Sequence, residues 1–207
     1  MTAFDWVVAI IIVVSLVYIS FVLTLADWLS ALRKGQAVAL LPVRDGQPRT
    51  MWMQVALVVV GLALVAVMIY YLWIPLVALP ASTAYILDGV GLALYLIGSW
   101  FTLWARRTLG KYWGISTSRQ VKLLDDHQLI QSGPYAFVRH PMYFGWWLSM
   151  LGLTLIYPVW MILLLFIFSV MAFTGRAQRE EAALAERFGE AWEAHKERTK
   201  FLIPFIY

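Results

Sequence analysis

The sequence predicts an all-α, polytopic membrane protein with five transmembrane helices, the last two a helical hairpin, and a cytoplasmic C-terminal amphipathic helix. Three observations predict it. Hydrophobic residues make up 62% of the 207 and charged residues only 14%, against about 45–50% and about 25% in soluble domains. Uncharged apolar runs long enough to cross a bilayer recur along the chain. The basic residues fall in the polar stretches beside those runs. A soluble core of this size cannot hide so much apolar surface, and the mean hydropathy of +0.74 makes lipid the better solvent. The whole of 1–207 is expected to be a single membrane domain: three N-terminal spans in 1–105, then a polar-site region in 106–207.

The first span is expected at Trp6–Ala26, which holds no charged residue. The leading MTAFDW has no basic region of the kind that opens a signal peptide, so this run is expected to stay as a span. A polar loop with Arg33, Lys34, Arg44 and Arg49 follows, interrupted by Pro42 and Pro48. The second span is Met51–Trp73, closed by the uncharged turn around Pro75 and Pro80. The third is Ala84–Ala105, with Gly91 and Gly98 placed for close helix contact and Arg106, Arg107 and Lys111 as its stop. From Pro141 to Gly175 there is no charge at all. Pro158 divides that run into the arms Met142–Tyr157 and Val159–Phe173, each short for a full crossing. From Arg176 the composition turns polar, and Leu184, Phe188 and Trp192 recur every fourth residue, which predicts a separate amphipathic helix.

With five spans, the basic segments at 33–49, 106–139 and after 176 share one side, and the turns at 74–83 and near Pro158 carry no Lys or Arg. The positive-inside rule makes the basic side cytoplasmic. Eleven tryptophans and ten tyrosines suit the two interfaces. The net charge of +4 is explained by orientation and anionic headgroups, so nucleic acid is not an expected partner. The absence of cysteine excludes disulfides, thiolate metal sites and a cysteine nucleophile.

Two segments carry candidate chemistry. In Gln128 to Gly145, Gly133-Pro134 forces a turn, and Arg139-His140-Pro141 sets a cation and an imidazole at the mouth of the hairpin. Pro141 suits a first helical turn, whose free N–H groups together with Arg139 make an anion site. In Arg176 to Gly189, Arg176 and Glu180 share a helix face. Each segment has a plainer reading: an interfacial stop for the first, a surface i,i+4 ion pair for the second, ordinary loop and helix histidines for His127 and His195.

Together the segments resemble the isoprenylcysteine carboxyl methyltransferase family, and more loosely the phospholipid N-methyltransferases. The resemblance covers about residues 100–207. It rests on Gln120, on HQLIQSGPYAFVRHPMYFGW, on RxxxEExxLxxxFGxxW from Arg176, and on IPFI at 203–206. It implies a membrane enzyme that uses S-adenosyl-L-methionine and no metal. Gln120, His127, Gln128, Leu129, Ile130, Tyr135, His140, Pro141, Tyr143 and Glu180 would bind the cofactor. Arg176 would hold the carboxylate of a lipophilic substrate entering from the bilayer. Arg139, the cation of the anion site at the hairpin mouth, is expected from the residues themselves as a second catalytic group. The implied acceptor is the carboxylate of an isoprenylated cysteine. An amine or hydroxyl acceptor would need a base, for which Glu181 and His140 are the candidates. Gln178 and Arg179 stand where many family members have acidic residues. Two other classes remain open: an NADPH-dependent sterol or isoprenoid double-bond reductase, which the Pro204-Phe-Ile-Tyr207 end also resembles, and a non-catalytic membrane scaffold.

Overall fold

The computed structural model describes residues 3–18, 51–112 and 128–203. The chain divides into two compact units, Met1–Val55 and Ala56–Tyr207. The first contains α1 (Ala3–Val17), an apolar helix with Asp5 in its first turn, where an acid suits the helix dipole. The remainder of the expected first span and the loop at 33–49 lie outside the described residues.

Further helices follow: α2 (Met51–Leu72), α3 (Ala81–Leu109), α4 (Pro141–Ile156), α5 (Trp160–Phe188) and α6 (Glu190–Arg198). Short 3-10 turns stand at Gly110–Tyr112 and Gly133–Ala136. Among the described residues the fold is all-α, with no strand beyond two isolated bridges. Among the described residues, α3 and α5 are long and apolar enough to cross a membrane, and α4 is a shorter apolar helix of 16 residues.

Arg106 and Arg107 do not end α3. They occupy its last turn, where cations suit the dipole, and the helix stops at Gly110 with φ +52°. The larger correction concerns the C-terminal half. The polar segment from Arg176 is not a separate helix, because α5 runs unbroken from the apolar arm for 29 residues, about 44 Å. Nothing between Gly175 and Phe188 stops it. Residues 177–188 are rich in strong helix formers, and Arg176 pairs with Glu180 one turn on. The stop is Gly189, with φ +50° and its N–H on the Ala185 carbonyl. An apolar helix thus carries its polar continuation out of the hairpin as one rigid rod.

α3 and α4 approach closely enough that backbones touch. Gly91 and Gly98 of α3 face Gly152 and Gly145 of α4, with the same seven-residue spacing on both. A Cβ on Gly98 would lie 2.5 Å from the Gly145 carbonyl oxygen, and one on Gly145 would lie 2.6 Å from the Gly98 carbonyl oxygen. Between the glycines, the Ser149 hydroxyl donates to the Tyr95 carbonyl at 3.2 Å and meets the Ser99 hydroxyl at 3.3 Å. The expectation for Gly91 and Gly98 is met; Gly145 and Gly152 complete the seam.

The two charge-free turns also meet. The Leu76 N–H donates to the Pro158 carbonyl at 2.7 Å and the Trp160 N–H to the Ile74 carbonyl at 3.1 Å, while Trp73 packs on Tyr157. At the other end, Gly133 of the 3-10 turn abuts Thr108 near the end of α3. The polar turn and the tip of the hairpin therefore sit at opposite ends of the helices.

Gly145→Val should strain the seam and lower stability by about 1–3 kcal/mol, whereas Gly61→Ala on α2, where an added Cβ meets nothing within 4 Å, should hold stability or raise it slightly. Thermal unfolding in detergent reads both. Equal melting temperatures for the Gly145 variant and wild type would contradict the contact.

Candidate active site

Pro134 and Tyr135 are buried in the 3-10 turn, and the chain then leads through Val138 to α4. His140 stands at the N-terminal boundary of α4 and Pro141 is its first residue, with φ suited to starting a helix and no N–H to leave unpaired. The turn and the continuation of α5 meet face to face. From the turn and α4 come Arg139, His140 and Tyr143; from α5 come Arg176, Glu180 and Glu181.

Glu180 is the first hub. It accepts a hydrogen bond from the Tyr143 hydroxyl at 2.7 Å and one from Arg176 Nε at 2.8 Å, both on Oε1. Its Oε2 lies 3.7 Å from His140 Nδ1. Glu181 is the second hub. Its Oε1 accepts from Arg139 Nε at 2.6 Å and lies 3.3 Å from His140 Nε2. His140 is thus bracketed by two consecutive carboxylates, one on each ring nitrogen. An i,i+4 ion pair does form between Arg176 and Glu180, as the plainer reading held, but it also reaches across to α4.

Arg139 is drawn further into the scaffold. Its Nη1 donates to the carbonyls of Thr199 at 2.6 Å and Lys196 at 3.2 Å, at the carbonyl-rich end of α6. Its N–H donates to the Lys200 carbonyl, and the Lys200 N–H to the Phe137 carbonyl. Phe201 lies 5.7 Å below its guanidinium and packs edge-on against His140 at 5.2 Å. The Arg139 side chain is only 9% exposed, turned into the scaffold rather than toward open solvent. Its guanidinium orders the segment after α6 and the carboxylate that faces His140.

A ladder of rings runs from this polar end into the hairpin. His140 stacks on Tyr143 at 5.6 Å, and Tyr143 stacks on Phe173 of α5 at 4.9 Å. Trp146 then meets Phe173 edge-on at 6.2 Å. The two arms are thereby held together beside the Glu180 hub.

Burial raises the Tyr135 hydroxyl well above its usual pKa, and the charge of Glu180 and the neighbouring Tyr143 add to this. Tyr135 therefore stays a neutral donor. For Glu181, past the charge-free part of α5, burial pushes upward, but hydrogen bonds from His140 and Arg139 and the Arg139 charge outweigh it, and the carboxyl is held below its usual range. A carboxylate so stabilised is a weak proton acceptor, which counts against Glu181 as the base that an amine or hydroxyl acceptor would need. His195, buried on α6 beside Trp192, is lowered by burial and then by the Arg139 and Arg198 charges, so it is a neutral structural histidine.

Of the residues expected to bind a cofactor, Tyr135, His140, Pro141, Tyr143 and Glu180 are brought together. Gln128, Leu129 and Ile130 form irregular chain leading into the turn, with Gln128 exposed and the other two half-buried. Gln120 and His127 lie outside the described residues. Phe173, Phe201 and the carbonyls of Lys196 and Thr199 were missed. Phe173 stands seven residues before Glu180, so it shares that helical face. Nothing local marks Phe201 or the carbonyls, which arrive through long-range pairing.

Such an arrangement defines a class: helical proteins of membrane character with an ion-paired site at the end of an apolar hairpin. Residues 87–191 match the family model described as phospholipid methyltransferase, and the chain belongs to that family. The protein-S-isoprenylcysteine O-methyltransferase of Saccharomyces cerevisiae is 30% identical over 119 residues, 56% of this chain and 48% of that protein. That of Rattus norvegicus is 30% identical over 121 residues, 58% and 42% of the two chains. That of Dictyostelium discoideum is 29% identical over 137 residues, 65% and 56%. The chain spans about half the length of the curated relatives it matches. A solved eukaryotic intramembrane Ras methyltransferase, isoprenylcysteine carboxyl methyltransferase, shares the fold with a TM-score of 0.52 at 24% identity, covering 76% of this chain and 54% of that one. The resemblance carried by the two motifs is therefore borne out.

A depressed carboxyl stabilises the fold above its unfolded pKa and loses that contribution as pH falls through the folded value. The gap in melting temperature between wild type and Glu181→Gln should be constant above about pH 5 and shrink as pH drops below the ordinary carboxyl value of 4.5. A pH series of melting curves in detergent measures it. A gap that widens toward acid would contradict the network.

Proposed function

We propose that this protein transfers a methyl group from S-adenosyl-L-methionine to a lipophilic acceptor, the carboxylate of an isoprenylated cysteine. One observation carries the proposal: Tyr143 and Arg176 converge on a single oxygen of Glu180, joining the two motifs in one site. Family membership and the names of the relatives support it.

The donor set suits such a cofactor. The carboxylate of Glu180 matches a cationic group, the Arg176 guanidinium matches a carboxylate, and the rings of Tyr143 and Phe173 match a sulfonium by cation–π attraction. When bound, S-adenosyl-L-methionine supplies an electrophilic methyl group. Glu180, held by Tyr143, serves its polar amino-acid or ribose portion. Tyr135, His140, Pro141, Gln128, Leu129 and Ile130, together with Gln120 and His127, make up the rest of its pocket. Arg176 uses Nε toward Glu180, and a guanidinium carries further donors that hold a substrate carboxylate. Arg139 acts through Glu181 and His140.

A carboxylate acceptor needs no base, and the depressed Glu181 fits that economy. The site's work is alignment and removal of water from the nucleophile. The proposal includes five spans in a single membrane domain, with the three polar segments, the polar half of α5 among them, in the cytoplasm. Lipid then delivers the acceptor laterally and the cytoplasm delivers the cofactor.

Purified protein in detergent should bind labelled S-adenosyl-L-methionine and not NADPH, and should label N-acetyl-S-farnesylcysteine. NADPH binding alone, or neither ligand binding, would overturn the proposal. Arg176→Ala should lose transfer roughly a hundredfold, the equivalent of about 3 kcal/mol of charge-assisted bonding, with cofactor affinity largely kept. Glu180→Ala should lose cofactor affinity in isothermal titration, and unchanged affinity would remove Glu180 from that role.

A further inference from the structure

The polar half of α5 carries a cation that the site does not engage. Arg179 is exposed, and among the described residues it makes no hydrogen bond or ion pair. Its neighbours one turn away along the helix are Gly175, Arg176, Ala182 and Ala183, so α5 offers it no carboxylate there. The adjacent Glu180 is taken up by Tyr143 and Arg176 on the side facing α4. Side chains on a helix lean toward its N-terminus, and Arg179 does so. A Cβ built on Gly175 would lie 3.6 Å from Arg179 Nη1, so the guanidinium lies back over the space that the glycine leaves. That level is where the charge-free run from Pro141 ends. On the same face, further into the apolar half, Leu164, Phe168 and Met171 are exposed, the last two at 68% and 71%. An uncovered apolar stripe about 16 Å long, from Leu164 to Gly175, thus ends in an unneutralised guanidinium.

We propose that this face binds an anionic phospholipid, with Arg179 holding the phosphate and an acyl chain lying along Met171, Phe168 and Leu164. The chemistry matches at both ends. A guanidinium takes a phosphate with two parallel N–H bonds and is weakly hydrated enough to do so at a bilayer surface. A cation turned back toward hydrocarbon is unfavourable without a counter-charge, and a headgroup of net negative charge supplies one where the apolar run stops. Gln178, exposed beside it, adds an amide donor. The bound lipid fixes the depth at which the α5 rod sits, and with it the level of Arg176 and Glu180 relative to the headgroups. The site rests on α5 as a span and not on methyl transfer.

The intact chain, released from nanodiscs of equal parts phosphatidylglycerol and phosphatidylcholine, tests this when the retained lipid is read by native mass spectrometry. Wild type should retain phosphatidylglycerol over phosphatidylcholine by about fivefold, the effect of one cation at an anionic surface, about 1 kcal/mol. Arg179→Gln should abolish the preference and Arg179→Lys should keep part of it. Gly175→Leu, which retains the charge and fills the space beneath it, should weaken the preference as well. Arg187→Gln, two turns further along the helix, should leave it unchanged. No preference in wild type, or full preference in the Arg179→Gln or Gly175→Leu protein, overturns the proposal. Equal losses in Arg187→Gln and Arg179→Gln also overturn it, because they would mark a diffuse effect of net charge. So does displacement of the retained lipid by N-acetyl-S-farnesylcysteine, since the face would then belong to the acceptor. Wild-type protein that retains the lipid yet transfers no methyl group refutes the proposed function and leaves the lipid site standing.

Discussion

Arg139 ties its own stretch of chain to α5 and to the segment that ends α6. Nε grips Glu181 on α5, Nη1 takes the carbonyls of Thr199 and Lys196 at the end of α6, and the backbone pairs with Lys200. The pair with Glu181 is largely out of water, at 9% and 17% exposure. Removing one partner of such a pair leaves the other's charge uncompensated, which costs about 3–5 kcal/mol. The neighbouring geometry depends on this contact. It presents Glu181 to one nitrogen of His140, and so leaves Glu180 at the other nitrogen, beside Tyr143 and Arg176.

The contact is possible because α5 does not stop where its hydrophobicity stops. The rod leaves the apolar arm at Gly175 and carries Glu180 and Glu181 past the mouth of the hairpin. A break at Gly175 would let the polar half swing away from His140. The glycine seam between α3 and α4 has the complementary role. It locks α4 in place, and the ring ladder from His140 through Tyr143 to Phe173 then fixes the distance between the arms. Packing in the apolar region thus sets the register of ions at the polar end.

Much of this was legible in the sequence. Uncharged runs gave the helices, Gly91 and Gly98 gave the close contact, and ordered motifs gave Tyr135, His140, Tyr143, Arg176 and Glu180 as neighbours. The helix boundary at Arg176 was misread because a change of composition is a change of solvent, not of backbone geometry. No proline or positive-φ glycine interrupts the chain until Gly189. The contacts of Arg139 were not legible for a different reason. Its partners are backbone carbonyls about 60 residues away, and a carbonyl has no residue-type signature. Glu181 looked like a spare base because nothing in the sequence says that two donors already occupy it.

In the proposed function the two motifs act as one site through the Tyr143–Glu180 hydrogen bond. A double-mutant cycle of Tyr143→Phe and Glu180→Gln on cofactor affinity measures this directly. Residues in contact couple by about 0.5–3 kcal/mol, and a charged acceptor places this pair in the upper half of that range. A coupling above about 1 kcal/mol is expected. Additive effects of the two substitutions would contradict it.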